Sequence, residues 1–252
     1  MANVNGNNFT IVFAIISCVT ASVLLSGANE GLKDLQESNV KTDKQRSVLL
    51  AAGLATATTA PEEISGWFTS ENGAPAITPI VIDEATGKVA TDVDVEKFSK
   101  KPEKFEGKSM VYECSKPGME SIILPIVGQG LWGPLKGYIA LGNDGNSVLG
   151  LCFYNHKETP GLGAEITEGW YMDQFAKESG KKILLKDGDY SKESFIGISS
   201  LKGVKVVDKP ASEQPYLIDG ISGATITSDG VTEVLTETIF EKYSAYLKNR
   251  KS

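Results

Sequence analysis

From Phe9 to Ala28 the chain carries no charged residue and no proline. A run of about 20 such residues, wound as a helix, spans about 30 Å, the hydrocarbon thickness of a bilayer. Its serines and threonines do not spoil this reading, because their hydroxyls bond back to the helix or across to another. A secretory signal would place a basic residue ahead of the apolar run, and Met1 to Asn8 has none. The expectation is therefore a retained transmembrane anchor over residues 1–28. A stem with an amphipathic helix follows at 29–60, and a folded domain at 61–252.

Composition narrows what that domain does. There are 25 Lys and Arg against 32 Asp and Glu, a net charge of −7, mixed along the chain without a basic block. That argues against nucleic acid as a partner. The chain has one histidine and three cysteines, with no Cys-x-x-Cys, so it does not build a zinc or iron–sulfur site by itself. Cys18 lies in the apolar run. Cys114 and Cys152 stand apart in strand-like segments, and pairing or two buried thiols are both open.

The stem from Asn29 to Lys41 is polar. Thr42 and Gln45 fit a capping box, followed by a stripe of Val48, Leu49 and Ala52 that Pro61 would end. Ser70 to Pro79 reads as a loop and Ile80 to Ile82 as a short strand. Four apolar or β-branched runs then predict strands: Met110–Glu113, Ile122–Val127, Gly137–Leu141 and Val148–Tyr154. Gly142 to Asn146 between the last two predicts an antiparallel hairpin. Thr167 is placed to cap a helix carrying Trp170, Met172 or Asp173, and Phe175. Lys182–Leu185 and Val204–Val207 read as further strands. Val231, Val234, Leu235, Ile239, Tyr243, Tyr246 and Leu247 recur at helical steps, giving a terminal helix with Thr227 or Ser228 as N-cap and Asp229 in its first turn. The fold class is α+β: one transmembrane helix, then a twisted antiparallel sheet with flanking helices.

Three segments have the chemistry of a binding site. Gly128 to Gly137 sets four glycines around Trp132, which suits close approach to a flat ring, although composition alone favours a connection around a core tryptophan. His156 to Gly163 offers turn amides, the Thr159 hydroxyl and the apolar Leu162. His156 is read as structural, and Glu158 by residue type as a solvated charge. Asp219 to Ser228 exposes the Thr225 hydroxyl beside Gly223 and Ala224 where a helix begins, a place that favours phosphate. It is neither a P-loop nor a nucleophile elbow, and by residue type it is a hydroxyl-rich capping turn.

The string Asp219-Gly-Ile-Ser222-Gly-Ala-Thr225 resembles the flavinylation motif of the FMN-binding domain family. Gly130-Leu-Trp-Gly133 and His156-Lys-Glu-Thr-Pro-Gly-Leu-Gly163 resemble family segments in the same order. Within the family the resemblance is nearest to the C-type subunits of bacterial sodium-translocating NADH:quinone oxidoreductases, with the G-type subunits of Rnf-type electron-transport complexes as the alternative. It implies FMN held through a phosphoester on Thr225, and a cofactor-binding set of Ser222, Gly223, Ala224, Trp132, Glu158, Thr159, Gly161, Leu162 and Gly163. It implies maturation by a flavin transferase with FAD as donor and Mg²⁺, and partnership with the other membrane subunits. It also implies a place in the inner membrane with the flavin domain on the periplasmic side. Taken literally, the charge rule for Lys33, Lys41, Lys44 and Arg46 would keep the domain in the cytoplasm, but that rule is weak before long domains. A membrane-anchored module holding a ligand noncovalently, or none, is the reading from a different class.

Overall fold

The computed structural model describes residues 6–69, 75–184 and 189–251. The chain divides into two compact units, residues 1–43 and 44–252. Helix α1 runs without a break from Asn7 to Ala51. In the first unit it is long and apolar enough to cross a membrane, and Phe9, Ile11, Phe13, Ile15, Val19 and Leu25 are all exposed along it. The stem is thus helical. Thr42 is a helix-interior residue whose hydroxyl donates to the Ser38 carbonyl at 3.1 Å, so the expected capping box is not a start. The helix stops at Gly53, whose φ of 68° is the left-handed turn that commonly closes a helix, with the Leu54 amide donating to the Leu49 carbonyl at 2.8 Å. Pro61 does not end this element; it opens the next, α2 (Pro61–Phe68), where its missing N–H costs nothing.

In the second unit five strands form an antiparallel meander in chain order: β1 (Ile77–Asp83), β2 (Lys108–Cys114), β3 (Ser121–Gln129), β4 (Pro134–Gly142) and β5 (Val148–Asn155). Helix α3 (Val95–Lys100) lies between β1 and β2, capped by the Asp94 carboxylate. The four strands expected between Met110 and Tyr154 are present, and β1 begins three residues before Ile80. Residues 70–74 of the expected loop lie outside the described residues.

Alternation divides the sheet between two apolar layers. Ile122, Leu124, Ile126, Ile139, Leu141, Leu151 and Phe153 enter the larger core with Tyr171, Phe175, Val231, Leu235 and Tyr243. Ile77, Cys114, Ile123, Tyr138, Ala140 and Cys152 turn the other way and meet Val48, Leu49, Ala51 and Ile64. Cys114 is on β2 and Cys152 on β5, three strand spacings or about 14 Å apart across the sheet. A disulfide cannot span that, and both are buried free thiols. Burial raises the Cys152 thiol to about 11, partly offset by its hydrogen bond with Ser47.

The β4–β5 hairpin closes on Asp144. One carboxylate oxygen accepts from the Asn146 and Ser147 amides at 3.0 and 2.9 Å, and the other from the Ser147 hydroxyl at 2.6 Å. Partial burial raises its pKa, but the Ser147 hydroxyl and the two amides outweigh this and hold it below 3.8. A depressed folded-state value gives stability that is present above the unfolded value and lost as pH falls through the folded one. Asp144→Asn should therefore lower Tm by a few degrees at pH 7. That gap should close in thermal melts as pH falls through the lowered folded-state value of Asp144.

Past β5 the chain is mostly short turns, with α4 (Gly169–Met172) continued by a 3₁₀ turn at Asp173–Phe175. Thr167 does not cap this element; its hydroxyl donates to the Ala164 carbonyl at 2.9 Å and closes the preceding turn. Lys182 and Leu184 form only isolated bridges, and Leu185 lies outside the described residues. Val204–Val207 is a bend leading into a 3₁₀ turn, not a strand. The second sheet is instead a parallel pair, β6 (Ser199–Leu201) and β7 (Leu217–Asp219). The terminal helix is continuous: α5 (Thr225–Glu233), a π segment at Val234–Thr238, and α6 (Ile239–Lys251).

Candidate functional site

β3 and β4 extend farther than expected, so the glycine-rich segment shrinks to a tight turn. Gly130 donates to the Gly133 carbonyl at 2.8 Å, and Leu131 and Trp132 stand at its tip. Trp132 is 64% exposed, which overturns the reading of it as a core residue. Gly128 lies within β3 and is glycine for room: a Cβ there would overlap the side chain of Val234 on the terminal helix.

After β5 the chain crosses His156 to Leu162 without regular structure before a 3₁₀ turn at Gly163–Thr167. The Thr159 carbonyl accepts from the Leu162 and Ala164 amides at 3.1 and 3.2 Å, so those two donors serve the turn itself. Gly161 takes φ 75°, a conformation glycine adopts without strain. Thr159, Gly161 and Leu162 are exposed, and Gly163 is buried. His156 accepts the Glu158 amide at Nδ1 over 3.2 Å, consistent with its structural assignment.

Glu158 departs most from expectation. It is buried, not solvated. One oxygen accepts the Trp132 backbone N–H at 3.0 Å, and the other accepts a short hydrogen bond from the Thr227 hydroxyl. Its buried carboxylate ties the three segments together.

The third segment leaves β7 and turns at Ser222–Gly223, where Gly223 has φ 78°. Helix α5 then starts at Thr225, with Ala224 at the N-cap and no side-chain cap bond. Thr227 and Ser228 are therefore inside the helix and buried, not caps, while Thr225 and Ser222 are exposed. Asp229 is past the first turn and pairs with Lys202 at 2.7 Å. Leu162 packs over the turn: a Cβ on Gly223 would lie 3.1 Å from its Cδ2.

Residues that pattern reading missed hold this segment in place. Gln174 clamps the Asp219 backbone, accepting its N–H at 2.6 Å and donating to its carbonyl at 3.2 Å. The Asp219 carboxylate accepts the Val206 amide at 2.7 Å and pairs with Lys205 at 3.1 Å. Lys181 reaches the same strand, donating to the Gln214 and Leu217 carbonyls. Burial lowers the Lys181 pKa, with Asp219 opposing the shift. A cleft of about 370 Å³ opens beside Thr225, lined by Lys202, Lys205, Gly220, Ser222, Gly223 and Ser228 among others. No cluster of three metal-ligating side chains occurs among the described residues.

The arrangement can bind a flat group carrying a phosphate. The amides that open α5 favour an anion at Thr225, two lysines stand at the cleft, and Trp132 and Leu162 present apolar surface nearby. Comparison with known proteins gives the same direction. The FMN-binding domain family matches residues 130–239, from the β3–β4 turn into the terminal helix. The C-type subunit of the Na(+)-translocating NADH-quinone reductase of Pseudomonas aeruginosa is 32% identical over 256 residues, covering 93% of this chain and 92% of its own length. The chain belongs to this family, the C-type subunits of Na(+)-translocating NADH-quinone reductases. Two solved structures agree. The family's protein from Parabacteroides distasonis is 29% identical with a TM-score of 0.63, covering 88% of this chain and 98% of its own. Shewanella oneidensis NqrC is 26% identical with a TM-score of 0.65, covering 84% and 99%. The α+β expectation is borne out by these two folds.

Proposed function

We propose that this chain is a membrane-anchored electron carrier of a sodium-translocating NADH:quinone oxidoreductase, with FMN joined to Thr225 by a phosphoester. The observation that carries this is the exposed threonine hydroxyl at the first residue of α5, beside a left-handed glycine and a cleft flanked by Lys202 and Lys205. Membership of the family supports the complex and the cofactor. FMN supplies one-electron and two-electron transfer when bound.

The chain's own residues hold and shield it. In this reading α5 presents its positive end to the phosphate. Leu162, packed over Gly223, and the exposed Trp132 would flank the ring and limit water. Thr159 and the Gly161–Gly163 turn would offer polar groups to its edge. Attachment forms the bond from Thr225 Oγ to phosphorus and breaks the pyrophosphate bond of FAD, with AMP leaving and the hydroxyl proton passing to a base of the flavin transferase. The chain then needs no acid–base pair at Thr225. The anchor lies within residues 1–28, the flavin domain is on the periplasmic side, and the other subunits supply and take the electrons.

Tryptic digestion tests attachment. Cleavage after Lys205 and Lys242 isolates a peptide spanning Val206 to Lys242, because Lys209 precedes proline. In protein from its own host that peptide should carry the mass of FMN, localised to Thr225 by fragmentation. An unmodified peptide, or yellow protein that releases all its flavin on acid precipitation, would leave a noncovalent binding module.

A further inference from the structure

Glu158 is 6% exposed, yet forms no ion pair among the described residues. Its partners come from two distant parts of the chain. Trp132 N–H is 26 residues away and the Thr227 hydroxyl 69 residues away. The surrounding backbone is shaped to it. A Cβ on Gly130 would fall 2.6 Å from one carboxylate oxygen, and a Cβ on Gly163 would fall 2.5 Å from the other and from Thr227 Oγ1. Glycine at both places makes room for one buried acid.

We propose that Glu158 is the positioning residue of the flavin site. Its carboxylate holds the Trp132 turn in register with the helix that bears Thr225, and places an unpaired negative charge beneath the loops that flank the ring. The inference rests on the Thr225 reading given above. The bond to residue 132 is made through its backbone, so Glu158 sets where the indole stands without touching it. Thr227 is two residues beyond Thr225 on the first turn of α5, so the same carboxylate fixes the start of the helix. A buried negative charge disfavours adding electrons nearby, so it holds the flavin's potential down.

Glutamine separates the two roles. Its carbonyl can still accept from Trp132 N–H, and its amide can donate to Thr227 Oγ1, which also accepts. Glu158→Gln therefore keeps the clamp and loses the charge, while Glu158→Ala loses both. Full-length protein in detergent is measured two ways. Without flavin, the Trp132 amide should exchange hydrogen at least tenfold faster in Glu158→Ala and within about twofold of wild type in Glu158→Gln. With flavin attached, Glu158→Gln should shift the reduced-to-oxidised ratio about tenfold toward reduced at fixed ambient potential. Glu158→Ala should in addition raise flavin fluorescence at least twofold as the indole moves off the ring.

If Glu158→Ala does not fold, Thr227→Val removes the helix half of the clamp alone and should give a smaller fluorescence rise. An unchanged potential in flavinylated Glu158→Gln overturns the inference, as does Trp132 exchange that is the same in all variants. Wild-type protein without flavin on Thr225 would instead overturn the functional reading, and this inference with it.

Discussion

Thr225→Ala should yield a colourless protein of nearly unchanged stability: no fluorescent band on a denaturing gel, and a native-like melt. Under the proposed attachment, exposure would choose the site. Between Ser222 and Ser228 there are four hydroxyl side chains, and Thr227 and Ser228 are each 1% exposed. A modifying enzyme cannot reach them without unwinding the first turn of α5. Ser222 is exposed, but it lies in the turn ahead of the helix, away from the first-turn amides that would hold the phosphate. Ser222→Ala should therefore keep the fluorescent band. Thr225→Ser should keep a reduced one, since the nucleophile survives and the methyl that restricts its rotamer is lost. The stability change should be within about 0.5 kcal/mol, as for other exposed substitutions. Fluorescence surviving in Thr225→Ala would move the attachment elsewhere.

The sheet was legible because its signal is local: alternating apolar residues bounded by glycines and an Asn-Asp-Gly turn. Both apolar faces of β3 are read from one run, Ile122 to Val127. The failures share a cause too. Val204 to Val207 is β-branched enough for a strand, but Gly203 has φ 68°, and the Asp219 carboxylate takes the Val206 amide that a ladder would have used. Thr42 and Gln45 carry the letters of a helix start, yet the upstream segment is already helical, and a capping pattern does not report whether its own amides are free. Thr227 and Ser228 misled in the same way, because Ala224 ends the preceding turn and leaves them inside. Composition alone favours a core place for Trp132, against the ring contact that the family string implies, while the turn that exposes it is fixed by a hydrogen bond between Gly130 and Gly133. Glu158 stands in the family string and in the expected cofactor-binding set, but its burial could not be read from its neighbours, since it is decided by groups 26 and 69 residues away. The site's chemistry was written in short strings; the contacts by which one of their acids joins them were not.

Gly230→Ala should be the most damaging single-methyl change in the helix that carries Thr225. In isolation the substitution favours the helix by roughly 1 kcal/mol. Here the new Cβ would overlap the Gln129 carbonyl and lie 3.6 Å from the Gly130 Cα. The obstacle is backbone within a paired strand, so no side-chain rotation relieves it, and the helix has to move off the sheet. Overpacking of this kind costs about 1–3 kcal/mol, or more where the backbone shifts. A net loss of about 2 kcal/mol corresponds to a Tm some 4–8 °C lower in a domain of this size. Gly66→Ala is the control: it lies within α2 with open space around its Cβ position, and should be neutral or stabilising. The two variants have the same chemistry and opposite expected signs, and paired thermal melts decide between them. If Gly230→Ala melts with Gly66→Ala, α5 does not sit against β3 as described, and Thr225 loses its place beside the Trp132 turn.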